Sequence, residues 1–369
     1  MAVDYGCNLI CDAEAYGILD ETDIHGSQGM FADNTVFIVG AGASAEFGLP
    51  VGKGLMNQIR DSSSFALRHN RVEQGDLFIL RALEEKSANY LEPYLTAMAD
   101  IHRSIDMAGS IDEFINRHAE DLYIADAGKL LIAYAIAKAE RASLLSTTPH
   151  FSVSFRWDDL EPTWIHTFVQ LLFERVRNDD VESVGKNITI ICFNYDRCIE
   201  HYLVESILKT FKNVTRKEAQ TVVSGVKILH PYGSLGDLDE HPFGAEFSTN
   251  DIIQMSNSIV TWSEFSQGET KELIDTALHE ADAIIAMGFA FAPQNMDLLR
   301  TEAQRKSNTP LKFYATGYGY DEVIDTSLKN KIRNLFPYDR LNFRTDSIEI
   351  QYDMKCAKFI QSHGIALVK

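Results

Sequence analysis

The sequence predicts an α/β fold, a Rossmann-like doubly wound parallel sheet with a large helical insertion. Short apolar runs are each followed by a loop that holds Gly, Asn, Pro or His and then by helical sequence, which is typical of strands alternating with helices. A glycine-rich turn follows the first run, and helical patterns fill the stretch at about 61–185. We therefore predict one domain over 34–369 with an N-terminal arm at 1–33.

Five apolar runs predict the strands, because a parallel strand that is buried on both faces is continuously apolar. They are 35–39 (TVFIV), 188–193 (ITIICF), 226–229 (VKIL), 283–287 (AIIAM) and 311–315 (LKFYA). Ligands of such sheets bind at the carboxyl ends of the strands. The loops after these runs are therefore the first place to search for a site.

The stretch at about 61–185 shows helical spacing without a convincing buried strand. Ser110 and Glu113 have the spacing of a capping box. Two apolar stripes at helical spacing predict core faces, and they are formed by Leu130, Ala133, Tyr134 and Ala137 and by Trp164, Phe168, Leu171 and Leu172. The segment 1–33 is rich in acidic residues and shows no clear hydrophobic periodicity. We expect it to form an arm that contacts another subunit.

Composition excludes some classes of function. The 369 residues include 53 acidic and 34 basic side chains, a formal charge of −19 that repels nucleic-acid backbones. The N-terminus lacks the basic and apolar regions of a signal peptide, and the longest apolar stretches are too short for a membrane span. A cytoplasmic protein is expected. The five cysteines form no CxxC pair, so we expect no bound zinc or other metal.

The turn Gly40–Ala45 has the form G-x-G-x-x-A directly after a strand and before a helix. Glycines there let backbone N–H groups approach a pyrophosphate, although an ordinary tight turn has the same pattern. A dehydrogenase would add a second strand that ends in an acid about 20 residues on. Asp61 has the right distance but closes a helical segment, which counts against hydride transfer.

Polar residues follow the later strands. Asn194 and Asp196 come after the run 188–193, and His230 comes after 226–229. Taken singly, an Asn or Asp there is usually a turn or helix cap, and a lone His is usually structural. Because parallel strands end at one edge of the sheet, these side chains are expected to converge on one cleft.

In combination and in chain order, these motifs resemble the sirtuin family, and more closely its bacterial sirtuin-like branch found in antiphage defence. The matching segments are GAGAS at 40–44, the G-L-P loop that ends at Pro50, Asn194-x-Asp196, His230 with Gly233-Ser234, and Gly288 with Phe289.

The departures from the family pattern lie where the family binds the second reactant, which is a peptide or water. The four-cysteine zinc ribbon of the deacetylases is missing, and residues 51–53 (VGK) replace the usual D-F-R. Two extra residues separate His230 from Gly233, and Phe-Ala-Phe-Ala-Pro at 289–293 replaces Thr-Ser. These differences argue against a peptide substrate and favour water as the acceptor.

The resemblance implies an NAD⁺ hydrolase that releases nicotinamide and ADP-ribose, with NAD⁺ as its substrate. Asn194 would position the ribose or the attacking water, Asp196 would hold the nicotinamide carboxamide, and His230 would act on the ribose hydroxyls or the water. Glycosidic cleavage usually places a carboxylate near the reacting carbon, and Asp196 and Glu46 are the candidates. The further NAD⁺ contacts would be Gly40, Ala41, Gly42 and Ser44 at the pyrophosphate, with Pro50, Gly233, Ser234, Gly288 and Phe289 around it.

The family branch also implies a biological role. Its members deplete NAD⁺ in abortive infection when triggered, as oligomers or beside a HerA-type hexameric ATPase, so a homo-oligomer or such a partner is expected. Two alternatives stay open. One is an NAD⁺-dependent protein deacylase or ADP-ribosyltransferase, and the other is a non-catalytic module that senses NAD⁺ or ADP-ribose.

Overall fold

The computed structural model describes residues 31–68, 71–88, 90–146, 155–265, 268–307, 309–339 and 342–367. Its strands are β1 (Thr35–Val39), β2 (Ala66–Arg68), β3 (Arg71–Gln74), β4 (Ile188–Cys192), β5 (Lys227–Leu229), β6 (Ala283–Met287), β7 (Lys312–Thr316) and β8 (Ile348–Gln351). Six of them form one sheet in the order β5-β4-β1-β6-β7-β8, and β2 and β3 form a separate antiparallel pair.

Every neighbouring pair in the six-stranded sheet is parallel. Along the chain the sheet grows from β1 to β4 and β5 on one side, and then from β6 to β7 and β8 on the other. The direction therefore reverses between β1 and β6, and in a doubly wound sheet the ligand crevice lies at this point. The predicted α/β class with a Rossmann-like sheet is confirmed.

The helices are α1 (Ala41–Ser44), α2 (Gly52–Ser62), α3 (Leu77–Ser87), α4 (Glu92–Ser104), α5 (Ile111–Arg117), α6 (Leu122–Ala142), α7 (Trp157–Leu160), α8 (Trp164–Phe173), α9 (Cys198–Thr210), α10 (Arg216–Ser224), α11 (Thr249–Asn257), α12 (Trp262–Phe265), α13 (Glu269–Glu280), α14 (Pro293–Leu299), α15 (Asp325–Arg333) and α16 (Cys356–Leu367). The stretch predicted to be helical thus holds α3 to α8, together with β2 and β3. None of the described helices is long and apolar enough to cross a membrane.

One half of the predicted capping box forms at the start of α5. The Ser110 side chain accepts a hydrogen bond from the Glu113 backbone at 3.0 Å. The Glu113 carboxylate accepts from the backbone N–H of Gly109, at 2.8 Å, instead of from Ser110. Ser110 therefore caps the helix as expected, and the Glu113 carboxylate bonds to Gly109, the residue before Ser110.

The sheet divides the core into two layers. Val36 and Ile38 of β1 face one apolar cluster, and Phe37 and Val39 face the other, so all of β1 is buried. This burial on both faces is the physical reason for the unbroken apolar run. Phe31 is also buried and packs edge-on against Phe37, with ring centroids 5.1 Å apart. Residues 1–30 of the predicted arm lie outside the described residues.

Candidate functional site

The glycine turn after β1 packs against the loop after β6, on the two sides of the point where strand order reverses. The Gly42 N–H donates to the Gly288 carbonyl at 3.0 Å, and a Cβ on Gly42 would lie 2.9 Å from the Cα of Gly288. Gly288 has a φ of 59°, and a Cβ there would lie 2.1 Å from the Ala43 nitrogen. Contact between the two loops therefore requires glycine at 42 and 288 whether or not a nucleotide binds.

Asn194 joins the end of β4 to this turn. Its Nδ2 donates to Ser44 Oγ at 2.8 Å and to the Gly40 carbonyl at 3.2 Å, and the residue is buried. These two donated bonds fix the orientation of the amide. Among the residues that the structure describes, no donor bonds to its Oδ1. The Asn194 side chain is therefore fixed in orientation and has one acceptor atom without a donor among the described residues, and it does not act as a helix cap.

Asp196 has the capping role instead. Its Oδ1 accepts from the Cys198 backbone at 3.2 Å, where α9 begins, and from Ser44 Oγ at 3.1 Å. The carboxyl is buried, and burial raises its pKa despite these hydrogen bonds. Asp196 thus ties the glycine turn to α9, which is the ordinary role that its position after a strand indicates.

Both ring nitrogens of His230 bond to the protein. Nδ1 lies 2.9 Å from the Asn194 carbonyl oxygen, and Nε2 lies 2.7 Å from Glu200 Oε1. Burial alone would lower the pKa of His230, but Cys192 and Glu200 beside the ring raise it well above its usual range. Burial opposes ionisation of Glu200, yet the adjacent His230 lowers the pKa of this carboxyl overall. The pair is therefore an imidazolium facing a carboxylate.

Glu46 serves as a structural joint. Its two carboxylate oxygens accept from the backbone N–H groups of Trp164 and Ala357, at 2.9 and 3.0 Å, in the first turns of α8 and α16. Burial raises the pKa of Glu46. With both oxygens occupied by backbone donors, Glu46 is poorly placed to face a reacting carbon. Pro50 lies on the same segment and is half-buried just before α2.

The remaining predicted contacts shape the loops. Gly233 closes a turn with its N–H on the His230 carbonyl at 3.1 Å, and its φ of 69° suits glycine. Ser234 follows and is half-buried. Phe289 is buried, with its ring 5.1 Å from that of Phe193, so it packs in the core beneath the loop. Ala41, the first residue of α1, is half-buried.

Six residues thus form one hydrogen-bonded group, which we call the strand-end cluster. It draws on the loops after β1, β4 and β5 and on the first turn of α9. Its members are Gly40, Ser44, Asn194, Asp196, Glu200 and His230. The motifs predicted five of these residues, and Gly288 adjoins the group through Gly42.

Glu200 is the member that the motifs do not predict. It lies in the first turn of α9, six residues after Asn194. A helix that starts directly after a strand-end loop points its first turn at the same edge of the sheet. An acidic residue at that place is the available sequence signal, but it is weak, because acidic residues are common in first turns for helix-dipole reasons.

The loop after β4 is also tied to the helical stretch. The Tyr195 hydroxyl donates to Asp112 in α5, and burial raises the pKa of Asp112 to about 6. Close by, a cleft of about 550 Å³ opens between α4, α5, α6 and α12, with Tyr94, Tyr123 and Lys129 in its wall. The described walls of this cleft contain no member of the strand-end cluster.

Comparison of the chain with protein-family models, curated proteins and solved structures finds no match. The sirtuin-like assignment therefore stays a prediction from the motifs. Over the described ranges, no group of three or more His, Cys, Asp or Glu side chains is arranged to hold a metal ion. Cys7 and Cys11 lie outside those ranges, so the expected lack of a metal also stays a prediction.

Proposed function

We propose that this chain is an NAD⁺ glycohydrolase, in which water displaces nicotinamide from the ribose to give ADP-ribose. One observation carries the proposal. The side-chain amide of Asn194 donates to Gly40 and Ser44, and the backbone carbonyl of Asn194 accepts from His230, so the ends of three strands share one polar unit. This unit adjoins the glycine turn at the reversal of strand order, where doubly wound folds bind nucleotides.

The chemistry suits such a unit. Nicotinamide leaves as a neutral molecule from a cationic ring, so the transition state carries positive charge on the ribose. The site must orient the sugar, tolerate that charge and admit one water molecule. Asn194 Oδ1 is a fixed acceptor for a hydroxyl or water proton, and Glu200 supplies negative charge beside His230. The pyrophosphate would lie against the partly exposed turn at Ala41, since the Gly42 N–H is already bonded to the Gly288 carbonyl.

The wider role belongs to the same proposal. The chain acts in the cytoplasm as a defence effector that depletes NAD⁺ when triggered. Its activity needs a trigger, through formation of a homo-oligomer or through a partner such as a HerA-type hexameric ATPase. The motifs support this role through the family that they resemble.

The test is to incubate the purified chain with NAD⁺, alone and with the protein encoded beside its gene, and to quantify nicotinamide and ADP-ribose by chromatography. Asn194→Ala and His230→Ala should each lower cleavage by roughly 10²–10⁴-fold, the range for a positioned acid–base group. The matched control is Asn187→Ala, which removes an amide just before the amino end of β4 that donates to the Phe31 carbonyl at 2.7 Å. That variant should keep its activity.

Three outcomes would contradict the proposal. Binding of NAD⁺ without cleavage in every condition favours the sensing module. Transfer of an acyl or ADP-ribosyl group to protein favours the deacylase or transferase. A destabilised but fully active Asn194→Ala protein would show that the residue is structural.

A further inference from the structure

The carboxylates near the strand-end cluster differ in how many of their oxygens are occupied. Both oxygens of Glu46 accept from backbone donors, and Oδ1 of Asp196 accepts from Ser44 and from the start of α9. Glu200 uses Oε1 for His230, while its buried Oε2 has no donor among the described residues. Glu200 is therefore the carboxylate with a buried oxygen still open to a ligand.

A second open acceptor belongs to the same group. Asn194 Oδ1 is buried without a donor in the described part of the chain, and its amide cannot turn without losing the bonds to Gly40 and Ser44. Asn194 and Glu200 each hold one nitrogen of the His230 ring. Buried polar atoms are normally paired. The strand-end cluster thus contains two buried acceptors without a donor among the described residues, and O–H groups of a water molecule or of a ribose are donors of the matching kind.

The hydrogen bonds of His230 limit what its ring can do. The Asn194 carbonyl can only accept, so Nδ1 carries a proton. Nε2 faces the Glu200 carboxylate at 2.7 Å, so the second proton lies between these two groups. Neither nitrogen has a lone pair directed at a ligand. A proton from the substrate side must therefore go to Glu200, with His230 as its charged partner.

We propose that Glu200 is the general base of the reaction and that it contacts the attacking water through Oε2. This inference rests on the proposed NAD⁺ hydrolysis. The water oxygen bonds to C1′ of the nicotinamide ribose. The bond from C1′ to the pyridine nitrogen breaks, and its electron pair stays on nicotinamide. One water proton moves to Oε2, leaves later for solvent, and so restores the carboxylate without any oxidant or reductant.

The charged and titratable neighbours allow this role. His230 faces Glu200 from the end of β5, and the Cys192 thiol of β4 lies beside the ring. Arg197, before α9, directs its guanidinium at Glu140, and Asp196 bonds to Cys198 and Ser44. His230 is the hydrogen-bonded cationic partner of Glu200, and its charge, together with that of Arg197, lowers the pKa of the carboxylate.

The test uses the full chain with Glu200→Gln, which keeps the shape and the acceptor for His230 but removes the base. We expect kcat to fall about 100-fold with KM unchanged, as for loss of an acid–base group. The acidic limb of the pH–rate profile should disappear. The matched control is Glu205→Gln on the same helix, whose carboxylate pairs with Arg216 at 2.7 Å, and it should keep its activity. Formate should partly restore Glu200→Ala but not His230→Ala.

A second measurement does not depend on turnover. The pKa of His230, followed by NMR, should fall by about one unit or more in Glu200→Gln, because a carboxylate within hydrogen-bond distance favours the imidazolium. If the wild-type protein cleaves no NAD⁺, the proposed function fails. If the pKa of His230 is also unchanged in Glu200→Gln, the charged Glu200–His230 pair is rejected as well. Wild-type kcat in folded Glu200→Gln overturns the role as base. If Glu200→Gln does not fold, Glu200→Asp should keep the His230 pKa and lose kcat, and unchanged kcat in that variant would overturn the proposal.

Discussion

Two ion pairs lie within four residues of each other at the start of α9, one buried and one half-buried, and they differ in how many of their polar atoms are hydrogen-bonded. Arg197 pairs with Glu140, both almost fully buried, with 2.6 Å between Nη2 and Oε2. Oε1 of Glu140 accepts from the Arg197 backbone and from its Nε, and Nη1 donates to the carbonyls of Gly236, Asp237 and His241. The other pair, Glu200 with His230, leaves one carboxylate oxygen open.

The difference separates a structural pair from the pair that we propose is reactive. The Arg197–Glu140 pair joins α6 to the loop beyond His230, and it leaves no carboxylate oxygen for a ligand. The Glu200–His230 pair is equally close but retains one carboxylate oxygen without a donor among the described residues, and its cation is an imidazolium, which unlike a guanidinium can lose a proton. The N···O distances of the two pairs are similar, but the pairs differ in burial and in how many carboxylate oxygens accept a hydrogen bond.

The largest expected effect is on the Arg197–Glu140 pair. Glu140→Ala leaves the Arg197 charge buried without its partner, and such a loss costs about 3–5 kcal/mol of unfolding free energy. Urea unfolding at neutral pH measures this cost. The control is Glu246→Ala, which breaks an exposed pair with Arg141 and should cost less than about 1 kcal/mol. Equal costs for the two variants would show that Arg197 is held by its carbonyl partners alone.

A third buried carboxylate, that of Asp112, extends the comparison because its partner is the neutral Tyr195 hydroxyl. Burial raises its pKa to about 6 from an ordinary 3.8. The folded protein then retains a proton that the unfolded chain loses, so stability falls as pH rises from about 4 to about 6. The loss is on the order of 2–3 kcal/mol at about 1.4 kcal/mol per pKa unit. Asp112→Asn should weaken the pH dependence of the unfolding free energy between about pH 4 and pH 6. Urea unfolding at several pH values measures this, and an unchanged dependence would show that Asp112 is not its origin.

The sequence predicts the sheet better than it predicts the roles of the acids. Five strands of the main sheet follow from apolar runs. β1, β4 and β6 are buried along almost their whole length, and β5 is a partly buried edge strand. β8 (IEIQ) was not predicted, since this edge strand is only partly buried and carries two polar residues. The structure joins Asn194, Asp196 and His230 in one hydrogen-bonded group, as strand ends that meet at one edge of a parallel sheet predict, while their roles stay a prediction.

The side chains of the glutamates could not be placed in this way. Glu46 bonds to Trp164 and Ala357, which are 118 and 311 residues away along the chain. Glu200 meets His230 across 30 residues, through the path of α9. Such partners depend on how helices pack in three dimensions, and no local spacing encodes them. The glycine turn shows the same limit, because its contact with Gly288 is a second, structural reason for the pattern.

That contact gives a third, smaller prediction, about the turn that holds Asn194. A Cβ on Gly42 would lie 2.9 Å from the Cα of Gly288, so Gly42→Ala must displace backbone and should cost about 1–3 kcal/mol. Gly52→Ala is the control, since a Cβ there has no neighbour within 4 Å in the described structure. It should be neutral or stabilising. Thermal melts of both variants compare them, and equal melting temperatures would refute the tight packing.

The smallest expected effect tests the comparison directly through two matched substitutions, Glu200→Gln and Glu140→Gln. Glutamine preserves the shape in both places and removes one negative charge. His230 can respond by losing a proton, so no charge is left unpaired, and the change in unfolding free energy should stay below about 1 kcal/mol. Arg197 cannot respond, because a guanidinium keeps its proton in proteins, and Glu140→Gln therefore leaves a buried cation. Urea unfolding at neutral pH should rank Glu140→Gln as clearly the more destabilised. Equal losses would mean that the Glu200–His230 pair is structural too, and that its open oxygen has no bearing on reactivity.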